Sequence, residues 1–258
     1  MNSIVISRSI HISSLKIFSA KQTMSHYSAV ILGATGGVGG NVLKTLLQSK
    51  RCTSIVSLGR REVSGLEGLD PDNKLKQVIV KDLDTLDSSK EYEALIQGCN
   101  TAFCTLGAGQ PSTLTKSEFE KIDIDYATKF AKVCKDAGVS HITLLTSYGA
   151  NASSFFHYGR VKGIVEQNYV DMDFDRVSLF RPSLIQTKEA RFGFKDKIVQ
   201  AVLPTVLKVF GPDLHAFPIE QIGQSMVWNA EAEGAGVECV HVTDMARIVE
   251  EKVASDSK

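Results

Sequence analysis

Ser147, Tyr158 and Lys162 have the residue types and the spacing of a set that transfers protons. The stretch LLTSYGANASSFFHYGRVKG places Ser147 at the end of an apolar strand, and Tyr158 and Lys162 four residues apart on the helix that follows. Residues four apart share one face of a helix, so the phenol and the ammonium are expected side by side. A phenol beside an ammonium can give a proton to the alkoxide-like oxygen that carbonyl reduction creates, and the serine can bond the same oxygen. Tyr148 is nearer the strand, but its residue at +4 is Ala152, so Tyr158 is the predicted proton donor.

A glycine-rich turn near the start of the chain, VILGATGGVGG, predicts an anion site. The turn lies between an apolar strand and a helix, and a helix N-terminus presents free N–H groups and partial positive charge. Glycine lets the backbone reach a pyrophosphate, although the same residues also serve close packing of a helix on a strand. The spacing GxxGxxG differs from the commonest dinucleotide fingerprint, GxGxxG. The predicted dinucleotide site in this turn comprises Gly33, Thr35, Gly36, Val38 and Gly39.

The end of the second predicted strand, LGRRE, bears on which dinucleotide binds. An acidic residue there would accept hydrogen bonds from a ribose 2′-hydroxyl. Arg60 and Arg61 instead offer guanidinium groups suited to a 2′-phosphate, which favours NADP. Glu62 follows directly and keeps NAD open as the less favoured cofactor, and a solvated basic loop is the structural alternative.

Two further strand ends are predicted to border the cofactor. Asp82 and Leu83 end the third strand, where the adenine ring would lie. Leu106 and Gly107 end the fourth strand, near the central ribose. The carboxyl ends of parallel strands meet at one edge of a sheet, so these residues are expected near the glycine turn.

Short apolar strands alternate with helices from about residue 25 onward. The strands are predicted at residues 28–33, 54–61, 75–83, 101–107, 141–147 and 176–185, and helices at 41–49, 92–98, 117–138 and 159–170. This alternation predicts an α/β fold with a doubly wound parallel sheet covered by helices on both faces. No repeat or linker interrupts it, so residues 25–258 are predicted to form one domain with C-terminal substrate or cap segments.

Composition excludes several classes of partner and site. The 258 residues are 43% hydrophobic, which suffices for a large buried core. Lys plus Arg and Asp plus Glu both number 29, so net charge gives no reason to expect nucleic acid. The five cysteines lack a CxxC pair, so free buried thiols are expected rather than a metal site or a disulfide framework. No apolar run is long enough to cross a membrane.

Residues 1–24 differ from the rest of the chain. They contain three basic residues among serines and isoleucines, and the first acidic residue of the chain is Glu62. Such a composition is typical of a mitochondrial presequence, although the isoleucines do not form a clean amphipathic helix. The alternatives are that residues 1–24 form a disordered tail of a cytoplasmic protein, or that the protein starts at Met24.

The stretches VILGATG, LGRR, LTSYGANASSFFHYGRVKGIVE and FDRVSLFRPSLI resemble the atypical short-chain dehydrogenase/reductase superfamily. Within it they are similar to the group of Tat-interacting oxidoreductase-like proteins and their fungal mitochondrial relatives. The resemblance implies a Rossmann fold, NADP binding, and Ser147, Tyr158 and Lys162 in catalytic positions. Tyr158 and Lys162, and Pro182 after the sixth strand, are then expected to touch the cofactor as well.

The resemblance brings no substrate, and it leaves two functions open. The first is hydride transfer between NADPH and an unidentified carbonyl or alcohol. The second is a dinucleotide-binding regulator or scaffold with little turnover, because relatives are implicated in transport and regulatory interactions. Protein partners and peripheral membrane contact are compatible with either function, through the apolar segment at residues 195–211.

Two sequence features depart from, or add to, the superfamily pattern. The long helix has Asp123, in KIDID, where many members have an asparagine that helps to hold a relay water. A carboxylate accepts hydrogen bonds but cannot donate as an amide does, so a hydrogen bond or ion pair on the helix face is the structural alternative.

Phe155 and Phe156 are expected in the core or in a pocket wall.

Overall fold

The structure, a computed structural model, describes residues 26–109, 111–186 and 216–257. The predicted presequence, residues 1–24, and the apolar segment at 195–211 lie outside the described residues. The strands are β1 (Tyr27–Leu32), β2 (Cys52–Gly59), β3 (Leu75–Ile79), β4 (Thr101–Cys104), β5 (His141–Leu145), β6 (Arg176–Arg181), β7 (Leu184–Gln186), β8 (Ala216–Pro218) and β9 (Gly236–His241).

Seven of the described strands form one parallel sheet in the order β3-β2-β1-β4-β5-β6-β9. The strand order reverses between β1 and β4, which is the point at which doubly wound sheets bind ligands at the carboxyl ends of their strands. β7 and β8 pair separately, also in parallel. The predicted doubly wound parallel sheet is confirmed.

Helices cover the sheet on both faces. They are α1 (Gly37–Gln48), α2 (Lys90–Ile96), α3 (Lys116–Glu120), α4 (Ala127–Asp136), α5 (His157–Asp171), α6 (Ile219–Glu231) and α7 (Val242–Asp256). A π-helical segment, Lys121–Tyr126, joins α3 to α4, so the long helix predicted at 117–138 contains a local widening of the helix. Short 3₁₀ turns lie at Leu83–Thr85 and Pro111–Thr113.

The core is divided by the sheet into two apolar clusters. Successive residues of β1 alternate between them: Val30 and Leu32 face the cluster that contains Phe130 of α4. Ala29 and Ile31 face the other cluster, with helices α1, α6 and α7. A strand buried on both faces reads as an unbroken apolar run, which is why VIL before the glycine turn lacks polar alternation.

The structure adds β8 and β9 to the predicted strands, and it divides the predicted strand at residues 176–185 into β6 and β7. β9 extends the sheet beyond β6, although GVECVH is too short and mixed to stand out in the sequence. The five cysteines are free, and only Cys239 among them is half-buried rather than buried. Across the described residues, no helix combines the length and the apolar character needed to cross a bilayer.

Candidate functional site

The glycine turn follows β1 at the point where the strand order reverses. Gly33 has φ +95°, and an ideal Cβ there would lie 2.6 Å from the carbonyl carbon of Thr105 and from the amide nitrogen of Leu106. A Cβ at Gly39 would lie 2.2 Å from the carbonyl oxygen of Gly33 and 2.4 Å from Thr105 Oγ1. Gly33 and Gly39 therefore allow the turn, the helix and the loop after β4 to pack against one another.

Gly36 differs from Gly33 and Gly39 because it lies at the exposed start of α1. It is the N-cap of α1, it is exposed, and no side chain caps the helix. The N–H groups of the first helical turn, including that of Val38, have no partner within the helix, and the turn contains no acidic residue. An anion in front of Gly36 would meet both the free N–H groups and the positive end of the helix dipole.

A groove of about 350 Å³ extends from this turn toward the end of β2. One wall is formed by α1 and the turn before it, and the other by the loop after β2; the lining residues are Ala34, Thr35, Gly36, Gly40, Lys44, Arg61, Glu62, Val63 and Ser64. Arg61 thus lies on the groove, whereas Arg60 is exposed outside it.

Lys44 is a cation of this groove that the sequence analysis missed. It stands four residues after Gly40 and eight after Gly36, so the three share one face of α1. That spacing, counted from the glycine turn, is a signal that could have found it. Lys44 belongs to the wall formed by α1, Arg61 belongs to the wall formed by the loop after β2, and Glu62 is the acidic residue of the lining.

Asp82 and Leu83 lie at the same edge of the sheet but have structural contacts of their own. β3 ends at Ile79, before both residues. The carboxylate of Asp82 accepts a hydrogen bond from the backbone N–H of Asp84 at 2.9 Å and so caps a 3₁₀ turn. Leu83 is buried in the core. Their predicted place beside an adenine ring remains a prediction.

The loop after β4 lies directly on Lys162. An ideal Cβ at Gly107 would be 3.3 Å from Asp123 Oδ1 and 3.6 Å from Lys162 Nζ. Leu106, the preceding residue, is half-buried against the core. The structure therefore brings Gly107 and Lys162 together, as a shared ribose site would require.

The helix α5 presents Tyr158 and Lys162 on one face. The Tyr158 ring is stacked on Phe119, with centroids 5.7 Å apart and planes 6° apart, and Tyr158 remains 44% exposed. Lys162 Nζ lies 5.8 Å from the centre of the Tyr158 ring. The ammonium is buried and forms an ion pair with Asp123, so the ion-pair alternative for Asp123 is confirmed.

Ser147 is a buried hydroxyl left available. It follows β5 by two residues, it is 8% exposed, and its Oγ has no hydrogen-bond partner within the described residues. The next residue, Tyr148, donates its backbone N–H to the carbonyl oxygen of Pro182 at 2.8 Å, which ties this strand end to the end of β6. An unpaired buried hydroxyl costs free energy unless a ligand or water bonds it.

A charged network close to Ser147 connects the ends of β5 and β6 to helix α5. Glu166, one turn after Lys162 on α5, accepts from Thr146 Oγ1 at 2.6 Å. Arg181 at the end of β6 donates to both Glu166 oxygens, at 2.9 and 2.5 Å. Bidentate pairs of this kind restrict orientation strongly, so the ends of β5 and β6 are held in a set position relative to α5.

Phe155 and Phe156 were expected in the core or in a pocket wall, but the structure places them outside the core. They are 93% and 77% exposed, on the loop that leads into α5. The loop is held by Arg160, which donates to the carbonyl oxygens of Ser154 and Phe155 at 3.0 and 3.2 Å. The two rings therefore stand in solvent, beside Tyr158, on a loop with defined hydrogen bonds.

The chain is similar to known proteins in sequence and in fold. Residues 33–173 match the model of a family described as NAD(P)H-binding. Protein HTATIP2 of Rattus norvegicus is 33% identical over 221 residues, which are 83% of this chain and 85% of that protein. The mitochondrial protein FMP52 of Meyerozyma guilliermondii is 31% identical over 212 residues, 78% of this chain and 84% of that protein. The predicted resemblance is confirmed.

Solved structures share the fold over most of this chain. MoeE5 in complex with UDP-glucuronic acid and NAD has a TM-score of 0.60 and 15% identity, covering 87% of this chain and 82% of its own. The oxidoreductase ylbE from Lactococcus lactis has a TM-score of 0.56 and 17% identity, covering 86% of this chain and 97% of its own. At these identities the likeness concerns the fold, which is Rossmann-like.

Proposed function

The chain belongs to the NAD(P)H-binding family, and on this premise we propose that it is an NADP-dependent oxidoreductase of the short-chain dehydrogenase type. It would move a hydride between NADPH and a carbonyl or alcohol substrate. One observation carries the proposal: Tyr158 stands beside a buried Lys162, near a strand end whose Ser147 hydroxyl has no partner among the described residues. A purely structural cluster has no need of an exposed phenol and an unpaired hydroxyl.

The residues of the glycine turn fit a dinucleotide. The uncapped first turn of α1 would bind the pyrophosphate through the backbone of Gly36 and the residues that follow it. The groove beside it has room for the adenosine end and is lined by Arg61 and Lys44. Two cations in one groove favour a ribose 2′-phosphate, and this supports NADP over NAD.

Each residue of the set has a distinct part in the chemistry. Bound NADPH supplies the hydride. Tyr158 gives its phenolic proton to the oxygen of the reduced carbonyl, and the neighbouring ammonium of Lys162 stabilises the phenolate left behind. Ser147 donates its free hydroxyl to the same oxygen and keeps it near the phenol. Lys162 also has donors left for the ribose hydroxyls next to the nicotinamide.

Binding and turnover of the full chain test the proposal together. NADPH, NADH and a panel of aldehydes, ketones and alcohols are titrated against the purified protein. We expect NADPH to bind more tightly than NADH and at least one carbonyl to be reduced. Absence of binding for both dinucleotides contradicts the proposal.

A second candidate is a dinucleotide-binding regulator with little turnover. The exposed Phe155 and Phe156 favour it, because large apolar side chains standing in solvent often mark a surface for another molecule. The same assay separates the two functions: tight NADPH binding without turnover of any substrate in the panel supports the regulator.

We propose a mitochondrial location, with residues 1–24 as a presequence and residues 25–258 as the folded unit. The acid-free N-terminus supports it, and so do the fungal relatives named mitochondrial. A reporter fused to residues 1–30 should enter mitochondria, whereas a diffuse cytoplasmic signal contradicts the proposal.

A further inference from the structure

A buried ion pair joins two helices beneath the proposed cofactor site. Lys162 Nζ on α5 donates to Asp123 Oδ1 in the π-helical segment, 39 residues earlier in the chain. The side chains are 9% and 1% exposed. Burying two charges is costly unless both are well paired, so this contact needs a reason beyond general surface electrostatics.

The second carboxylate oxygen of Asp123 makes a further contact, which connects the ion pair to the loop after β4. Oδ2 accepts the backbone N–H of Ala108 at 2.8 Å. Ala108 belongs to the loop after β4, and in that loop Gly107 lies over the ion pair with no side chain between. One carboxylate therefore fixes an ammonium and a stretch of backbone relative to each other.

The other charged groups around Lys162 are committed elsewhere. Glu166, one turn further along α5, is taken by Thr146 and Arg181. The phenol ring of Tyr158 approaches the ammonium at 5.8 Å but carries no formal charge in its neutral form. Within the described residues, Asp123 is the carboxylate within ion-pair distance of Lys162.

We propose that Asp123 is a positioning residue that prepares the ribose site next to the nicotinamide. It uses one of the three ammonium donors of Lys162 and leaves two that would be free for the ribose hydroxyls, and it holds the loop after β4 in place through the Ala108 N–H. A site fixed before binding avoids the cost of ordering its groups on binding. The π-helical segment that carries Asp123 is of the kind frequently found at functional sites. This proposal rests on the proposed function, because it assumes that a dinucleotide binds there.

Two ligands of different reach test the proposal. NADPH spans the whole site, whereas adenosine 2′,5′-bisphosphate carries the 2′-phosphate but ends before the nicotinamide ribose. We expect Asp123→Asn to weaken NADPH binding by about tenfold, the scale of a misplaced hydrogen bond to a charged group, and to change binding of the bisphosphate less than about twofold. Asp125→Asn is the matched control, since Asp125 is exposed two residues further along the same segment, and it should alter neither affinity.

The possible outcomes are distinct. Unchanged NADPH affinity in Asp123→Asn overturns the proposal, and so does an equal loss for both ligands, which would indicate a merely structural residue. Wild-type protein that binds neither ligand overturns the proposed function instead. Should Asp123→Asn fail to fold, Asp123→Glu keeps the charge but moves the carboxylate by one methylene. Folded Asp123→Glu must then show the same selective loss of NADPH affinity, and wild-type affinity there overturns the proposal.

Discussion

Buried polar side chains gather at both ends of the central sheet, but the two groups differ in what they leave available. At the amino ends of β5 and β6, Ser178 Oγ donates to Glu238 Oε1 at 2.6 Å and lies 2.8 Å from His141 Nε2. Arg176 Nε donates to the same Glu238 oxygen at 2.9 Å, and Asn229 of α6 donates to it at 3.0 Å. This amino-edge network connects β5, β6, β9 and α6.

At the carboxyl ends of the same strands, the polar groups are only partly paired. Ser147 Oγ has no partner within the described structure, and Tyr158 is 44% exposed. The amino-edge network has exceptions too: His141 Nδ1 is unpaired, and Arg176 Nη2 lies 2.7 Å from Glu238 Oε1 but outside hydrogen-bond geometry. The difference is one of exposure, because His141 and Arg176 are buried, whereas Tyr158 at the carboxyl edge reaches solvent. Satisfied polar groups stabilise the sheet at one edge, and the available ones lie at the edge where we propose that a ligand binds.

The largest effect on stability is expected at the amino edge. Glu238→Gln leaves the Arg176 guanidinium, whose side chain is 5% exposed, without its charged partner. The Glu238 side chain is 30% exposed and glutamine keeps one acceptor oxygen, so the free energy of unfolding should fall by up to about 3 kcal/mol. Urea unfolding measures it, and an NADPH titration of the folded variant should match wild type. Weakened NADPH binding at unchanged stability would break the comparison between the edges.

The opposite pattern is expected from Tyr158→Phe at the carboxyl edge. The ring keeps its stack on Phe119 and loses only the phenolic oxygen, so folding and NADPH affinity should be nearly unchanged. Once a substrate is known, turnover should fall by about 10²-fold or more, the usual scale for a positioned acid. Stopped assays under saturating NADPH measure it, and wild-type turnover would remove Tyr158 from the mechanism.

The groove at the carboxyl edge should discriminate between cofactors. Arg61→Ala and Lys44→Ala each remove a cation from its lining, and each should weaken NADPH binding by about tenfold while sparing NADH. Arg60→Ala is the matched control from outside the groove and should have the smaller effect. Equal losses for NADPH and NADH would mean that the cations form only a basic surface.

The amino edge should make stability depend on pH. Burial and then the charge of Arg176 lower the pKa of His141 to about 3, against about 6.5 in an unfolded chain. Between these values the unfolded chain holds a proton that the folded protein lacks, so the contribution of His141 to stability falls as pH drops from about 6.5 to about 3 and is constant above about 6.5. The slope from this one residue approaches about 1.4 kcal/mol per pH unit.

His141→Gln removes the titrating ring and retains a side chain that can bond Ser178. Urea unfolding of both proteins at pH 7.5, 5.5 and 4.5 should therefore show a shallower dependence in the variant. Parallel curves for the two proteins would contradict the assignment of this slope to His141.

The predictable part of the molecule is the part that is local in sequence. Tyr158 and Lys162 are four residues apart, and the glycine turn joins one strand to the next helix, so helical and strand periodicity placed them correctly. The shared edge of the strand ends could also be predicted, since parallel strands present their carboxyl ends at one edge of the sheet. The predicted third strand ended too late, at Leu83, because the buried Val80 continues the apolar run although β3 ends at Ile79.

The remaining contacts join residues that are distant in the chain. Asp123 meets Lys162 across 39 residues, and Ser178 meets Glu238 across 60. Helical and strand periodicity cannot predict such pairs. They follow from the strand order and from the π-helical segment, which shifts the helix face after Lys121. Phe155 and Phe156 were misplaced for a related reason, since hydrophobicity predicts burial without regard to the loop that presents the rings.

The packing of the glycine turn has a consequence for how such motifs tolerate change. In a saturation library over residues 33–39, selection for folded protein alone would already retain Gly33 and Gly39, whose missing side chains leave room for the chain's own backbone. Gly36 would be enriched less strongly by that selection, because its Cβ would meet only the Gly33 carbonyl oxygen, at 3.3 Å. A second selection for dinucleotide capture should then act chiefly on Gly36. On this hypothesis, folding requires glycine at two positions of the motif, Gly33 and Gly39, and ligand binding requires it at the third, Gly36.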